Sequence, residues 1–294
     1  MKVSTGHITH LLELIDDPNQ EIVTHVTRKI IDQGEHILPE LENHLHFNAN
    51  GKAEIALVNT IIQEIKFNSI LHQLVSWKNS PEKDLLEGLY VLTKFQYPEL
   101  TLEDLKEAIA YYRKDIWIEI NPKQTSFELI KTFNKVFFEY FNFDVVSNKK
   151  ATPFDYFLPS IFQQQSGSEI GIGLIYSLIA QELNIPVYGV IYPFNRFLLA
   201  YQDTNNILSL LGFHTSNNGI LCYINVADKG GLMRKEDLNI ELSELLIQPK
   251  SSYFEPSPNT AVLRQYLENL YRAHLYTPSM RHKAKYYKRL LGEI

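Results

Sequence analysis

The sequence predicts an α+β protein in which one apolar helix packs against a small antiparallel sheet, with more helices on both flanks. Three observations predict that class. Gly171 to Leu183 is a single apolar, helix-length run, closed by Asn184 ahead of Ile185-Pro186. Three β-like runs follow, Val187 to Tyr192, Phe197 to Tyr201 and Ile220 to Val226, all rich in β-branched and aromatic residues. Turn signals at Pro193, Asp203-Thr204-Asn205-Asn206 and Ser216-Asn217-Asn218-Gly219 separate them. Connections this short favour antiparallel neighbours.

The elements before this core read as helices. Leu11, Leu12, Leu14 and Ile15 lead into Asp16-Asp17-Pro18-Asn19, a corner where proline ends one helix and can begin another. Ile22, Val23, Val26, Ile30 and Ile31 then fall on one face of an amphipathic helix that stops near Gly34. Ile37-Leu38-Pro39 restarts the pattern, and the whole resembles one HEAT-type unit. Ile55 to Val75 is again helical but no clean second copy, and one unit with a fragment makes no solenoid. Ser80 before Pro81 reads as a cap for the next helix, over Asp84 to Phe95. Thr101-x-x-Asp104 and Thr125-x-x-Glu128 read as capping boxes opening helices over 102–114 and 126–140. The aromatics Phe133, Phe137, Phe138, Tyr140 and Phe141 are expected in the core. After Arg234 the pattern is helical to the end, with a closing pair over 259–275 and 279–291. The expected division is a HEAT-like helical region over 1–76, a core with leading helices over 77–248, and a helical extension over 249–294.

Composition narrows the function classes. The chain has 294 residues, 45% hydrophobic and 21% charged, which excludes a disordered or fibrous protein. Lys and Arg number 28 against 34 Asp and Glu, so the net charge of -6 does not suit a nucleic-acid binder. A single cysteine excludes an internal disulfide or a Cys-cluster metal site and fits a reducing compartment. The first residues lack the apolar stretch of a signal peptide, and the longest apolar run, Ile170 to Ala180, is half a bilayer span. The expected location is the cytoplasm.

Ordered marks then accumulate from Trp77 onward. They include Asp84-Leu85-Leu86-Glu87-Gly88, Gln96-Tyr97-Pro98, Trp117, Asn134 and Leu158-Pro159-Ser160-Ile161. They continue through Gly167, Ile185-Pro186-Val187-Tyr188-Gly189-Val190, Phe197-Leu198-Leu199-Ala200-Tyr201, Tyr223-Ile224-Asn225 and Lys229-Gly230. Together they resemble the bacterial transglutaminase-like superfamily, in its invasion-regulator (Sir-B) type, over nearly the whole chain. The resemblance implies a papain-like core. In active relatives a thiolate at the start of the central helix attacks an amide carbonyl, a histidine on the sheet activates it, and an aspartate orients that histidine. The helix N-terminus and the imidazolium lower the thiol pKa.

None of the three groups stands in its place here. The helix start reads Gly167-Ser168-Glu169-Ile170-Gly171, with Glu169 nearest the nucleophile position. Where the resemblance calls for Pro-x-His-Phe the chain has Pro193-Phe194-Asn195-Arg196-Phe197, one residue longer and without imidazole. Asn225 replaces the aspartate. Cys222 lies in a strand, where a free cysteine is ordinarily a small buried hydrophobe. His214 is the one histidine between residues 73 and 273, on a turn-rich loop. Ser166 and Ser168 flank Gly167 without a nucleophile elbow. Gly167, Gly171 and Gly173 lack the lysine of a phosphate loop and serve close packing instead. Seven histidines fall within residues 7–72, but at no metal-defining spacing. The basic run Arg281 to Arg289 reads as a docked amphipathic helix with wet charges.

The expected function is therefore a catalytically inactive transglutaminase-like binding or scaffold module without a cofactor. The candidates for the vestigial or binding site are Gly167, Ser168, Glu169, Asn195, Arg196, His214 and Asn225; a groove lined by Glu169, Asn195, Arg196 and His214 would take a peptide, protein or small polar ligand, with Arg196 as a carboxylate fork. Neither nucleic acid nor membrane is expected as partner. The alternative is an amide hydrolase or transferase with a rearranged site using Glu169.

Overall fold

Two hydrophobic cores share one long helix. The computed structural model describes residues 10–47, 51–121, 123–147, 150–202 and 219–294. Helix α1 (Gln20–Ile31) starts where the Asn19 side chain accepts the Glu21 N–H at 3.0 Å. A 3-10 turn, Glu35–Ile37, leads into α2 (Leu38–Phe47). Val26, Ile30, Ile37 and Leu41 bury against Val58, Ile61, Ile62 and Ile65 from the first half of α3 (Lys52–Asn79). The second half of α3, from Phe67 to Trp77, belongs to the main core. The helix read over Ile55 to Val75 is thus longer, and the main core begins within it, well before residue 76.

The Ser80 cap is corrected. Ser80 terminates α3, its hydroxyl donating to the Trp77 carbonyl at 2.8 Å and accepting the Lys83 N–H at 3.2 Å. Asp84 caps α4 (Leu85–Lys94) by accepting the Glu87 N–H at 2.8 Å. Local hydroxyl bonding serves either end of a helix, and the Trp77 carbonyl won. Both capping boxes form, at Thr101 for α5 (Leu102–Glu119) and at Thr125 for α6 (Ser126–Asn134). Helix α6 runs on as a π-helical turn, Lys135–Tyr140, that buries Val136, Phe137 and Phe138.

Strands β1 (Asp144–Val145) and β2 (Ser166–Gly167) pair in parallel around α7 (Leu158–Gln164). Helix α8 (Glu169–Glu182) is buried at every residue from Glu169 to Ala180, as befits a helix apolar on all sides. The sheet runs β3 (Val187–Tyr192), β4 (Arg196–Gln202), β5 (Ile220–Asn225), β6 (Gly231–Met233), each antiparallel to the last. Phe197, Leu199 and Ile224 face α8. Val190, Leu198, Ala200 and Tyr223 face the other way, under Leu238 and Leu242 of α9 (Lys235–Glu244).

Glycine sets the helix-to-sheet distance. A Cβ on Gly173 would stand 2.7 Å from the Phe197 ring, and one on Gly189 would stand 2.4 Å from it. The ring occupies the space that both missing side chains leave, so helix and sheet pack flush there. Two further helices, α10 (Asn259–Tyr276) and α11 (Ala284–Leu291), close the main core. Tyr286, Tyr287 and Leu290 of the basic C-terminal run are buried, and Arg289 pairs with Glu64 of α3 at 2.7 Å. Among the described residues no helix is long and apolar enough to cross a membrane.

Candidate functional site

The site forms where the N-terminus of α8 meets the β3–β4 hairpin. The Ser168 hydroxyl accepts the Gly171 N–H at 3.1 Å and caps α8, making Glu169 its first residue. A carboxylate suits a helix N-terminus. On the sheet side, Pro193-Phe194-Asn195 turns the chain with Phe194 and Asn195 both left-handed, at φ of 59° and 64°. Such a turn matches the twist of a hairpin, though a bulky Phe there is strained. The Asn195 amide donates to Asn269 Oδ1 of α10, and Gln265 Nε2 of the same helix donates to the Arg196 carbonyl at 3.3 Å. These bonds hold the hairpin on α10.

The turn delivers Arg196 and Phe197 to the helix start. Glu169 Oε1 accepts the Phe197 N–H at 3.0 Å and lies 3.8 Å from Arg196 Nε. Arg196 Nη1 donates to Glu241 of α9. The guanidinium also sits 5.7 Å from the centre of the Tyr192 ring. Strand alternation points Arg196 to the α9 face of the sheet. At the strand end it still reaches Glu169 on the α8 side, so one guanidinium ties both layers together. Glu169 is only 8% exposed. Burial pushes its carboxyl pKa up; the Phe197 N–H and Arg196 work against that shift, and Glu241 adds to it. With two carboxylates on it, Arg196 is an internal tie rather than a free fork.

The other expected residues are placed differently. Gly167 is a packing position, where a Cβ would stand 2.7 Å from Ile161 Cγ1. Asn225 caps a 3-10 turn by accepting the Ala227 N–H at 3.1 Å. Alternation along β5 puts it on the Tyr223 side of the sheet, away from α8. Of the expected residues, the structure brings Ser168, Glu169 and Arg196 together, holds Asn195 in the adjacent turn against Asn269 of α10, and turns Asn225 aside. His214 lies outside the described residues. Cys222 stands opposite Tyr201 and packs beneath α8, its thiol pKa pushed up to about 11 by burial. At neutral pH it stays a thiol. Among the described residues no group of three or more His, Cys, Asp or Glu could hold a metal ion.

A second polar bridge stiffens the middle of α8. The Tyr176 hydroxyl donates to Asn134 Oδ1 at 2.8 Å, and Asn134 Nδ2 donates to the Gly230 carbonyl at 2.8 Å. Gly230 has φ of 83°, and a Cβ there would fall 2.5 Å from the Asn134 amide. This explains the presence of Asn134 and Gly230 among the marked residues.

Glu241, Gln265 and Asn269 were not singled out from the sequence. Glu241 carries no motif; the signal was its place between the core residues Leu238 and Leu242, which holds it beside the sheet.

A helix backed by an antiparallel sheet, with a polar cluster at the helix start, defines an α+β core of the class the residues suggested. The family model of the transglutaminase-like superfamily matches residues 102–268, more than half of the chain, and the protein belongs to that superfamily. No curated protein and no solved structure matches it.

Proposed function

We propose that the chain is a non-catalytic transglutaminase-like protein of the invasion-regulator (Sir-B) type, with a papain-like core, acting as a binding or scaffold module. The observation that carries this reading is the Glu169–Arg196–Glu241 tie. Glu169 opens the helix where a thiolate would stand, and Arg196 precedes Phe197 where the imidazole would stand. Arg196 is always charged, so it can neither take nor return a proton at neutral pH. The sole thiol in the chain sits elsewhere with a raised pKa. In cysteine-dependent attack on an amide a thiolate works beside an imidazole, and the side chains that meet here are Glu169, Arg196 and Glu241 instead.

A second reading rests on the raised pKa of Glu169, since burial of a carboxyl is how acid–base enzymes tune their catalysts. One screen separates the two. Purified protein is assayed against amide, ester and peptide substrates beside Glu169→Gln and Cys222→Ser. The expected result is no turnover in any of them. Turnover by the parent that vanishes in Glu169→Gln would overturn the non-catalytic reading in favour of acid–base chemistry.

A further inference from the structure

The carboxylate fork expected of Arg196 has a counterpart on α10. Asn269, Arg272, Ala273 and Tyr276 follow at the spacing of one helical face. That face lines a cavity of about 540 Å³ whose opposite walls are the hairpin residues Phe194 and Asn195 and the segment beginning at Lys150. Every formal charge on the lining is positive, from Lys150 and Arg272. Neither has a carboxylate partner among the described residues. The nearby Asp155 is already engaged, accepting from the N–H and hydroxyl of Thr152 at 2.6 and 2.9 Å.

The cavity floor is amide. Asn269 is 5% exposed, and its Oδ1 takes the Asn195 amide. Asn269 lines the same cavity as the two cations. The rim is apolar: Phe194, 68% exposed, and Tyr276, 76% exposed, line the same cavity. Phe194 is held there by its left-handed backbone, at a cost the turn alone could avoid with glycine.

We propose that this cavity binds an oxyanion, a carboxylate or phosphate, on a ligand whose apolar part lies between Phe194 and Tyr276. Arg272 supplies the planar fork, Lys150 the second charge, and Asn269 a neutral donor at the floor. The chemistry excludes a cationic or metal ligand, since no lining residue carries a negative charge. The proposal rests on the binding-module reading, and the two fail separately. Turnover in the substrate screen sinks that reading alone, whereas the titration below addresses the site alone.

The full chain is titrated with N-acetylphenylalanine, with its neutral amide, and with inorganic phosphate. Side-chain amide resonances of Asn195 and Asn269 and calorimetry provide the readouts. Saturable binding of the carboxylate but not the amide is expected, with Arg272→Gln weakening it about tenfold or more, the worth of a charge-assisted hydrogen bond. Binding of phosphate without the carboxylate would also support the oxyanion site and assign it to phosphoryl ligands. Arg272→Gln and Lys150→Gln lie on exposed positions and should melt with the parent, so lost binding reads as lost recognition. Absence of saturable binding by both anions, equal binding of the neutral amide, or undiminished binding by Arg272→Gln would overturn the proposal.

Discussion

Acid should strip a defined amount of stability from this protein through one histidine. His274 is fully buried on α10, its ring stacked on Tyr287 with centroids 4.3 Å apart. Its Nδ1 lies 2.8 Å from the Leu270 carbonyl, which can only accept, so Nδ1 carries the proton. Nε2 is then a bare acceptor with no partner among the described residues. Protonating Nε2 would bury a charge and an unpaired N–H together. Burial accordingly lowers the pKa to about 4; the Leu270 carbonyl pulls it back up, and Lys283 and His282 depress it further. An unfolded histidine titrates near 6.5. Because the folded pKa is the lower one, the unfolded chain takes up the proton first. The stabilising contribution is complete above about pH 6.5, declines as pH falls, and is gone below about pH 4. A separation of about 2.5 units at about 1.4 kcal/mol each amounts to about 3.5 kcal/mol, of which about 3 is expressed by pH 4. The assay is urea unfolding followed by tryptophan fluorescence from pH 7.5 to 4, for the parent and His274→Phe. Carboxylates titrate in both and cancel in the difference, while the phenyl ring keeps the stacking. The stability difference should move by about 3 kcal/mol in favour of the variant as pH falls. A difference that stays flat would refute the assignment of a buried, neutral imidazole.

Four further outcomes rest on the site and its surroundings. Glu169→Gln keeps an oxygen acceptor for the Phe197 N–H and removes a charge that burial disfavours, so unfolding at pH 7 should change by less than about 1 kcal/mol. Glu169→Leu orphans that N–H and Arg196 Nε, and should cost about 1–3 kcal/mol in the same urea titration. Gly173→Ala should destabilise by about 1–3 kcal/mol despite alanine's better helix propensity, because the new Cβ meets a ring with no room to withdraw. Calorimetric melting that rises instead would show that Phe197 can yield. Cys222, with its pKa near 11, should react with a thiol reagent at pH 7.5 only as the chain unfolds, and prompt labelling of native protein would contradict its place under α8.

What the sequence revealed and what it hid divide along the range of the interactions. Val187–Tyr192 and both capping boxes are local: alternation, turn residues and a hydroxyl three residues from a carboxylate determine them, and they appear where expected. Ser80 misled because its hydroxyl can serve a helix end as well as a helix start. The π-helical turn at Lys135–Tyr140 escaped because its aromatics satisfy the same spacing as an ordinary helix. The site was half legible. Glu169 and Arg196 stood out against the superfamily pattern, but Arg196 meets Glu241 across 45 residues of chain, through a packing of α9 on the sheet that no motif announces. Asn225 was misplaced for the converse reason: position along a strand marks the residue, but the pleat decides the face.

Helix α3 has a mechanical consequence. Its 28 residues extend about 42 Å without a break, with one end embedded in each core. Such a helix works as a strut: α1 and α2 are held at a constant distance and bearing from the α8 site, and load on one end is transmitted along a single hydrogen-bonded column. Glu64 reinforces it from outside, gripping Arg289 at 2.7 Å and Lys285 at 3.9 Å from the C-terminal helix. The chain's last helix thereby braces the strut near its middle, and shortening the protein at its end would loosen the attachment of its beginning.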